Sequence, residues 1–366
     1  MKSIFPLFPL LLCLAQADTE ERVIFNLSRV EAHGEGNEEA AQVMPLVAKL
    51  NHSSILPLLY AMNQASPVGD NWIRATIIKI LQSSNSKNFP ESKILKFLKD
   101  EKNVGSSRRA AFELLQDNRP GMVQSIIPSL LHDPEPSLRR EAIAKILDEA
   151  SLVEDDKQSI QLYQDALNHA CEIDQIKEAT KELKKRGIEI DLVELMGFII
   201  NWEIIGPFDN TQRKGFGTIY PPEQEKGAVD VYSGKNGEVE WNSISTTHSL
   251  GMIDVNQELG YIKEVLAYAR TTFDVDKGQK AQFRLGSKNA WKIWVNGELL
   301  FARDEYHRGG TRVDQFVLDG ELKKGENQIL IKVCQNEQTQ SWTKQWEFCL
   351  RVTDPTGNAI KQRSRN

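Results

Sequence analysis

Between Arg186 and Phe198 the spacing of apolar residues changes period, and this change limits the fold more than any other feature of the chain. Upstream, apolar residues recur three and four apart, as in Ile73, Ile77, Ile78 and Leu81, or Ala110, Ala111, Leu114 and Leu115. Downstream come short runs with turn residues between them: FIINWEII, EVLAYARTTFDV, AQFRLG, WKIWVNGELLF, RVDQFVL, NQILIKV and QWEFCLRV. A helical stripe and a two-residue alternation cannot serve the same element, because side chains repeat at 3.6 residues in one and 2.0 in the other. The expected fold class is therefore α+β in separate domains. Its divisions are a leader at 1–17, a helical repeat domain at 18–187, an antiparallel β-sandwich at 188–356 and a polar tail at 357–366. A chain of 366 residues has room for both domains.

In the first half the best-defined unit is HDPEPSLRREAIAKIL, from His132 to Leu147. Asp133 and the prolines end one helix, Ser137 is expected to cap the next, and arginines precede an alanine-rich apolar face. Looser copies are GDNWIRATIIKIL and GSSRRAAFELL, and Arg74, Arg109 and Arg140 stand 35 and 31 residues apart. That period belongs to solenoids, where each helix pair buries its face against its neighbours. On Asp133, Pro136, Arg139, Arg140 and Ala142 the region resembles HEAT repeats. Such arginines are expected to fix the stacking of repeats through aspartate. The charged run EIDQIKEATKELKKRG reads as a solvated helix face with (i, i+4) pairs, stopped by Gly187.

In the second half, Asn296-Gly297 is a hairpin signal, since both central residues of a type I′ turn need positive φ. Trp291, Ile293 and Val295 should face the core, with Lys292 and Trp294 on the other side; Ile329, Ile331 and Val333 likewise alternate with Lys332 and Cys334. The series WVNGELLF, YHRGG, QFVLDGELKKGEN and QILIKV resembles the jelly-roll, galactose-binding-like domain at the N-terminus of family 2 glycoside hydrolases. His307, Gly309, Gly310, Lys324, Gly325 and Asn327 carry that pattern, although Lys324 directly abuts Gly325. NWEIIGPFDN…GFGTIYPPE resembles the opening of such modules in exported bacterial proteins that join HEAT repeats to a sandwich. The resemblance implies carbohydrate binding. It departs from the hydrolases because no barrel follows.

Met1-Lys2, an apolar core from Ile4 to Leu14 and Ala15-Gln16-Ala17 have the layout of a secretory signal with cleavage before Asp18. Leu12 is too bulky for a lipid-modified signal at Cys13. No membrane span is expected, and the mature chain should be periplasmic or extracellular. Cys171, Cys334 and Cys349 then remain, and three thiols cannot all pair. If the strands holding Cys334 and Cys349 form a symmetric hairpin, Cys334 lies opposite Gln345, too far from Cys349 for a disulfide; a different register would allow one.

A net charge of −6 with no basic stripe excludes a nucleic-acid interface. No GxSxG, HExxH or Walker loop occurs, and Asp304 and Glu305 are adjacent where glycoside hydrolysis needs carboxylates facing across a sugar. DVDKGQ approximates a calcium loop, but its glycine is misplaced and Leu285 stands where glutamate is needed, so a turn after a strand is the better reading. Neither metal nor cofactor is expected. The binding candidates lie in loops: Asp209 and Asn210; Tyr306, His307 and Arg308; and Asn336, Glu337, Gln338 and Trp342. They combine aromatic faces for stacking on a sugar ring with groups that bind hydroxyls. The competing reading is that Trp342 covers the sandwich end and the polar groups pin the loops. The function expected is non-catalytic glycan binding by the sandwich with protein docking on the helical repeats. The alternatives are a scaffold without sugar binding and, last, a hydrolase.

Overall fold

The structure, a computed structural model, describes residues 8–83, 88–224 and 231–363, with side chains from Asp18 onward. Residues 1–7 of the expected leader lie outside the described residues, and its backbone from Phe8 on is helical. No described helix is long and apolar enough to cross a membrane. The chain divides into two compact units, residues 1–170 and 171–366.

The first unit consists of helices: α1 (Phe8–Leu27), α2 (Asn37–Val43), α3 (Ile55–Met62), α4 (Pro67–Ser83), α5 (Glu91–Lys99), α6 (Gly105–Asn118), α7 (Pro120–Ile126), α8 (Pro136–Leu152) and α9 (Asp156–His169), with short 3₁₀ turns between. The three sequence units fall on α4, α6 and α8. Their apolar stripes are buried, with one exchange: Ile78 is exposed and Ile80 packs with Ile73 and Ile77. The capping of α8 also differs from expectation. Pro136, with its fixed φ, occupies the first helical turn, so the cap position falls on Glu135, whose carboxylate accepts from Ser137 N (3.2 Å) and Ser137 Oγ (2.7 Å).

The arginines join α4 to α6 and α6 to α8 at equivalent positions. Arg74 donates to Glu113 (2.6 Å) and Ser106 O (2.9 Å); Arg109 donates to Glu141 (2.6 Å) and Ser137 O (2.9 Å). Beneath them Arg108, 2% exposed, forms a bidentate pair with the buried Asp133 and donates its Nε–H to Leu98 O (2.8 Å). Arg74 and Arg109 thus pair with glutamates, and the aspartate–arginine contact expected between successive turns falls on Arg108, next to the arginine that carries the repeat spacing.

In the second unit α10 (Ile173–Lys185) and α11 (Leu192–Met196) precede the strands β1 (Asn201–Asp209), β2 (Val231–Ser233), β3 (Glu238–Glu240), β4 (Asn242–Ser245), β5 (Ile253–Asp254), β6 (Val265–Val275), β7 (Gln279–Gly286), β8 (Ala290–Val295), β9 (Glu298–Arg303), β10 (Phe316–Leu322), β11 (Gly325–Gln335) and β12 (Glu347–Thr353), with α12 (Val255–Leu259) between β5 and β6. An antiparallel sheet ordered β4-β1-β6-β11-β8-β9 faces a second ordered β10-β7-β12-β5. Their shared core holds Trp202, Trp291, Ile293, Ile331 and Val333 from one sheet, and Phe283, Leu285, Phe348 and Val352 from the other. The alternation read from β8 and β11 is therefore correct. Asn296 (φ 54°) and Gly297 (φ 83°) form the expected turn, and Asp276–Gly278 connects β6 to β7.

β11 and β12 do not form a hairpin. They lie in different sheets, and Cys334 stands opposite Leu266 and Ala290 while Cys349 stands opposite Gly286. A chain that crosses between layers cannot pair its two ends in one ladder. Cys171, Cys334 and Cys349 are buried, and Cys334 and Cys349 are free thiols.

Arg351, 1% exposed, donates to Asp314 (2.7 Å), Met196 O (3.5 Å) and Cys171 O (3.3 Å), tying the segment before α10 to β12. A fragment starting at Cys171 should therefore melt above one starting at Ile188, which lacks α10 and the Cys171 O acceptor of a buried guanidinium. Thermal melts of the two fragments test this, and equal midpoints would refute it.

Candidate functional site

The outer face of the six-stranded sheet is built in cross-strand rows. Strand pairing aligns Leu266 with Cys334 and Ala290, and Tyr268 with Lys332 and Lys292. It then aligns Ser243, Glu203, Arg270, Leu330 and Trp294 across β4, β1, β6, β11 and β8. One row further along lie Ser245 opposite Asn201 and Thr272 opposite Gln328.

The first two rows are covered. The segment from Asn210 to Gln224 lies over them as a lid, and Phe208, Tyr220, Tyr268, Tyr232 and Cys334 pack in a small outer core. The lid is held by Lys332, whose side chain is fully buried. Its Nζ donates to Thr218 O (2.7 Å), Phe216 O (3.3 Å) and Glu223 Oε1 (2.8 Å). Tyr268 donates its hydroxyl to the same carboxylate. Burial pulls the Lys332 ammonium below the usual lysine range, opposed by Glu223, and pushes the Tyr268 hydroxyl far up. In the sequence Lys332 reads only as a position on the side opposite the core; the lid makes it a buried one.

The other two rows are open and floor a groove of about 1060 Å³. Its walls are Pro222–Gln224 of the lid and Trp241 with Tyr232, and the turn at Asn296-Gly297 marks one end. Arg270 lies over the Trp241 ring, 4.1 Å from its centroid, and donates to Glu203 (2.8 Å). The Trp241 Nε1–H is buried without a hydrogen-bond partner, and Trp294 contributes an indole to the floor. Sequence reading placed Trp294 away from the core but passed over Trp241. The signal available was the outward phase of Trp294; nothing local shows that Trp241 is brought beside it.

The loop candidates gather at one end of the sandwich and bind mainly one another. Asn210 Nδ2 donates to Tyr306 Oη (3.1 Å) and Gln335 O (3.0 Å). His307 Nε2 meets Asn336 Oδ1 (3.1 Å), Asn336 donates to Gln338 (3.1 Å), and Gln338 N donates back to Asn336 Oδ1 (3.1 Å). Glu337 accepts from Arg213 (3.0 Å), whose guanidinium holds its carboxyl below the usual range. Asp209 binds Thr211 (2.6 Å) and Lys235 (3.0 Å), and these hydrogen bonds lower its pKa in the same way, Thr211 most. The Tyr306 ring is half-buried, with Arg213 over one face. Desolvation, reinforced by the charge of Lys263, pulls His307 below the ordinary histidine range. Gln335 stands close enough to oppose that, though His307 Nδ1 lacks a hydrogen bond of good geometry. Trp342 and Arg308 remain exposed, Trp342 at 64%. Tyr261, which the sequence reading did not single out, is 76% exposed on a neighbouring loop, two residues before Lys263, which donates to Thr343 O (2.6 Å). No cluster of three or more metal-ligating side chains occurs among the described residues.

No protein-family model matches the chain, and no curated protein matches it. Solved structures similar to part of it include the β-glucosidase from Kluyveromyces marxianus in complex with glucose (11% identity, 43% of this chain and 17% of that chain, TM-score 0.26). Another is the anti-sigma factor domain-containing protein from Clostridium clariflavum (11% identity, 46% and 49%, TM-score 0.25). A third is the family 35 carbohydrate binding module from Clostridium thermocellum (13% identity, 27% and 84%, TM-score 0.17). The match spans about a sixth of the glucosidase and half of the anti-sigma factor protein. Function has to come from this chain's own residues.

Proposed function

We propose that the protein is an exported, non-catalytic binding protein whose sandwich holds a carbohydrate in the groove on its outer sheet face. One observation carries this: a groove of about 1060 Å³ that places Trp241 and Trp294 beside a row of hydroxyl and amide side chains. Ring C–H surfaces pack on indole, and sugar hydroxyls that leave water need donors and acceptors in return. The leader-like N-terminus supports export, and the two carboxylates among the described lining residues, Glu203 and Glu223, are each paired with a base, which suits binding better than hydrolysis.

A second reading, a scaffold that binds no sugar, is favoured by the end loops, where the polar groups are tied to each other. Glycan-array binding by the whole protein separates the two. Gln328 is exposed on the groove floor, so Gln328→Trp should fill the groove with little change in melting temperature and abolish array binding. Trp342→Ala should leave binding intact. Loss of binding in Trp342→Ala alone would move the site to the end loops. An array with no bound glycan would leave the scaffold reading.

A further inference from the structure

Resting on the groove as the carbohydrate site, we infer that it takes an internal stretch of an uncharged glycan chain lying across the strands, and that Glu203 keeps acidic chains out by neutralising Arg270. Length comes first. The row from Ser243 to Trp294 crosses five strands, and four steps of about 4.8 Å give a floor of roughly 19 Å. That is several sugar rings, not one. At its two ends Ser245 on the edge strand and Gly297 in the turn are exposed, so neither of these residues closes the groove to a longer chain.

Charge comes second. Among the described lining residues the charged ones are Glu203, Glu223 and Arg270, and each is already matched. Glu223 is held by Lys332 and Tyr268. Arg270 pairs with Glu203 and stacks on Trp241. What the floor offers a ligand is the row of Asn201, Ser245, Thr272 and Gln328, all hydroxyls and amides, which suits neutral hydroxyls and provides no counter-charge for a carboxylate or sulfate. Arg270 alone could recognise such an anion, and Glu203 occupies it while repelling the anion itself. Specificity built from a repulsive group of this kind is common where attraction alone discriminates poorly.

The test titrates the whole protein, wild type and Glu203→Gln, with linear gluco-, xylo- and manno-oligosaccharides of one to six units and with hexagalacturonate. The expected result is binding of at least one neutral hexamer, affinity rising with length up to the span of the floor, and no saturable binding of monosaccharides or hexagalacturonate by the wild type. Glu203→Gln should then bind hexagalacturonate at least about tenfold more tightly than the wild type, since a charge-assisted contact becomes available, and the gain should shrink with added salt. Three results would overturn the inference while the carbohydrate reading stands: a monosaccharide that binds as tightly as its hexamer, hexagalacturonate preferred by the wild type, or no gain in Glu203→Gln. No binding of any saccharide in this panel or on the array overturns the carbohydrate reading itself, and this inference with it.

Discussion

Lys332→Ala should destabilise the β unit by about 3–5 kcal/mol and abolish saccharide binding together. The substitution removes the ammonium from a fully buried ion pair. Glu223 then keeps its charge with only the Tyr268 hydroxyl to bind it, and Phe216 O and Thr218 O lose their donor. A buried charge stripped of its partner is far more costly than the pair was beneficial, because desolvation persists while the attraction is gone. The lid carrying Glu223 is also a groove wall, so stability and binding should fall as one. Lys332→Met combined with Glu223→Leu and Tyr268→Phe should recover most of the stability, since it removes the stranded polar groups along with the charge. Urea unfolding followed by tryptophan fluorescence measures both. If Lys332→Ala unfolds within about 0.5 kcal/mol of wild type, the size of an ordinary surface change, the lid is not held by this lysine.

Arg108→Ala should have a similar effect on the helical unit, about 3–5 kcal/mol, because it leaves Asp133 charged and 7% exposed. It also frees Leu98 O from its donor at the contact between successive turns. Arg74→Ala is the control. Arg74 also contacts a carboxylate, Glu113 (2.6 Å), but its side chain is 31% exposed and that of Glu113 43%, so solvent screens the pair and the loss should be about 0.2–1 kcal/mol. Urea titrations monitored by far-UV circular dichroism would show both. Equal losses for the two variants would mean that burial does not separate the inner arginine from the outer ladder.

The 35-residue step from Arg74 to Arg109 was legible because equivalent arginines meet equivalent partners on the next helix. It did not show which neighbour lies inside: Arg108 is buried in a pair, while Arg109 bridges at the surface. The cap of α8 lies two residues before Ser137 because Pro136 and Ser137 are both start signals, and the order in which the backbone uses them depends on how the preceding turn arrives. In the end loops the residue types suited to sugar hydroxyls were gathered as expected, yet those types suit one another equally well. Only the packing of three distant segments shows that Asn210, Tyr306, His307 and Asn336 spend most of their hydrogen bonds internally.

By itself the sequence determined the two periods, the Asn296-Gly297 turn and which side of β8 and β11 faces the core. Each depends on residues a few positions apart, where backbone geometry alone decides the outcome. The tertiary structure decided that β11 and β12 part into different sheets, that Lys332 is buried, and that Ser243, Glu203, Arg270, Leu330 and Trp294 form one row. Alternation fixes the face on which each of these side chains lies but leaves the register between strands undetermined. Register is set by closing long loops and filling a shared core, a property of the whole unit that no local stretch records.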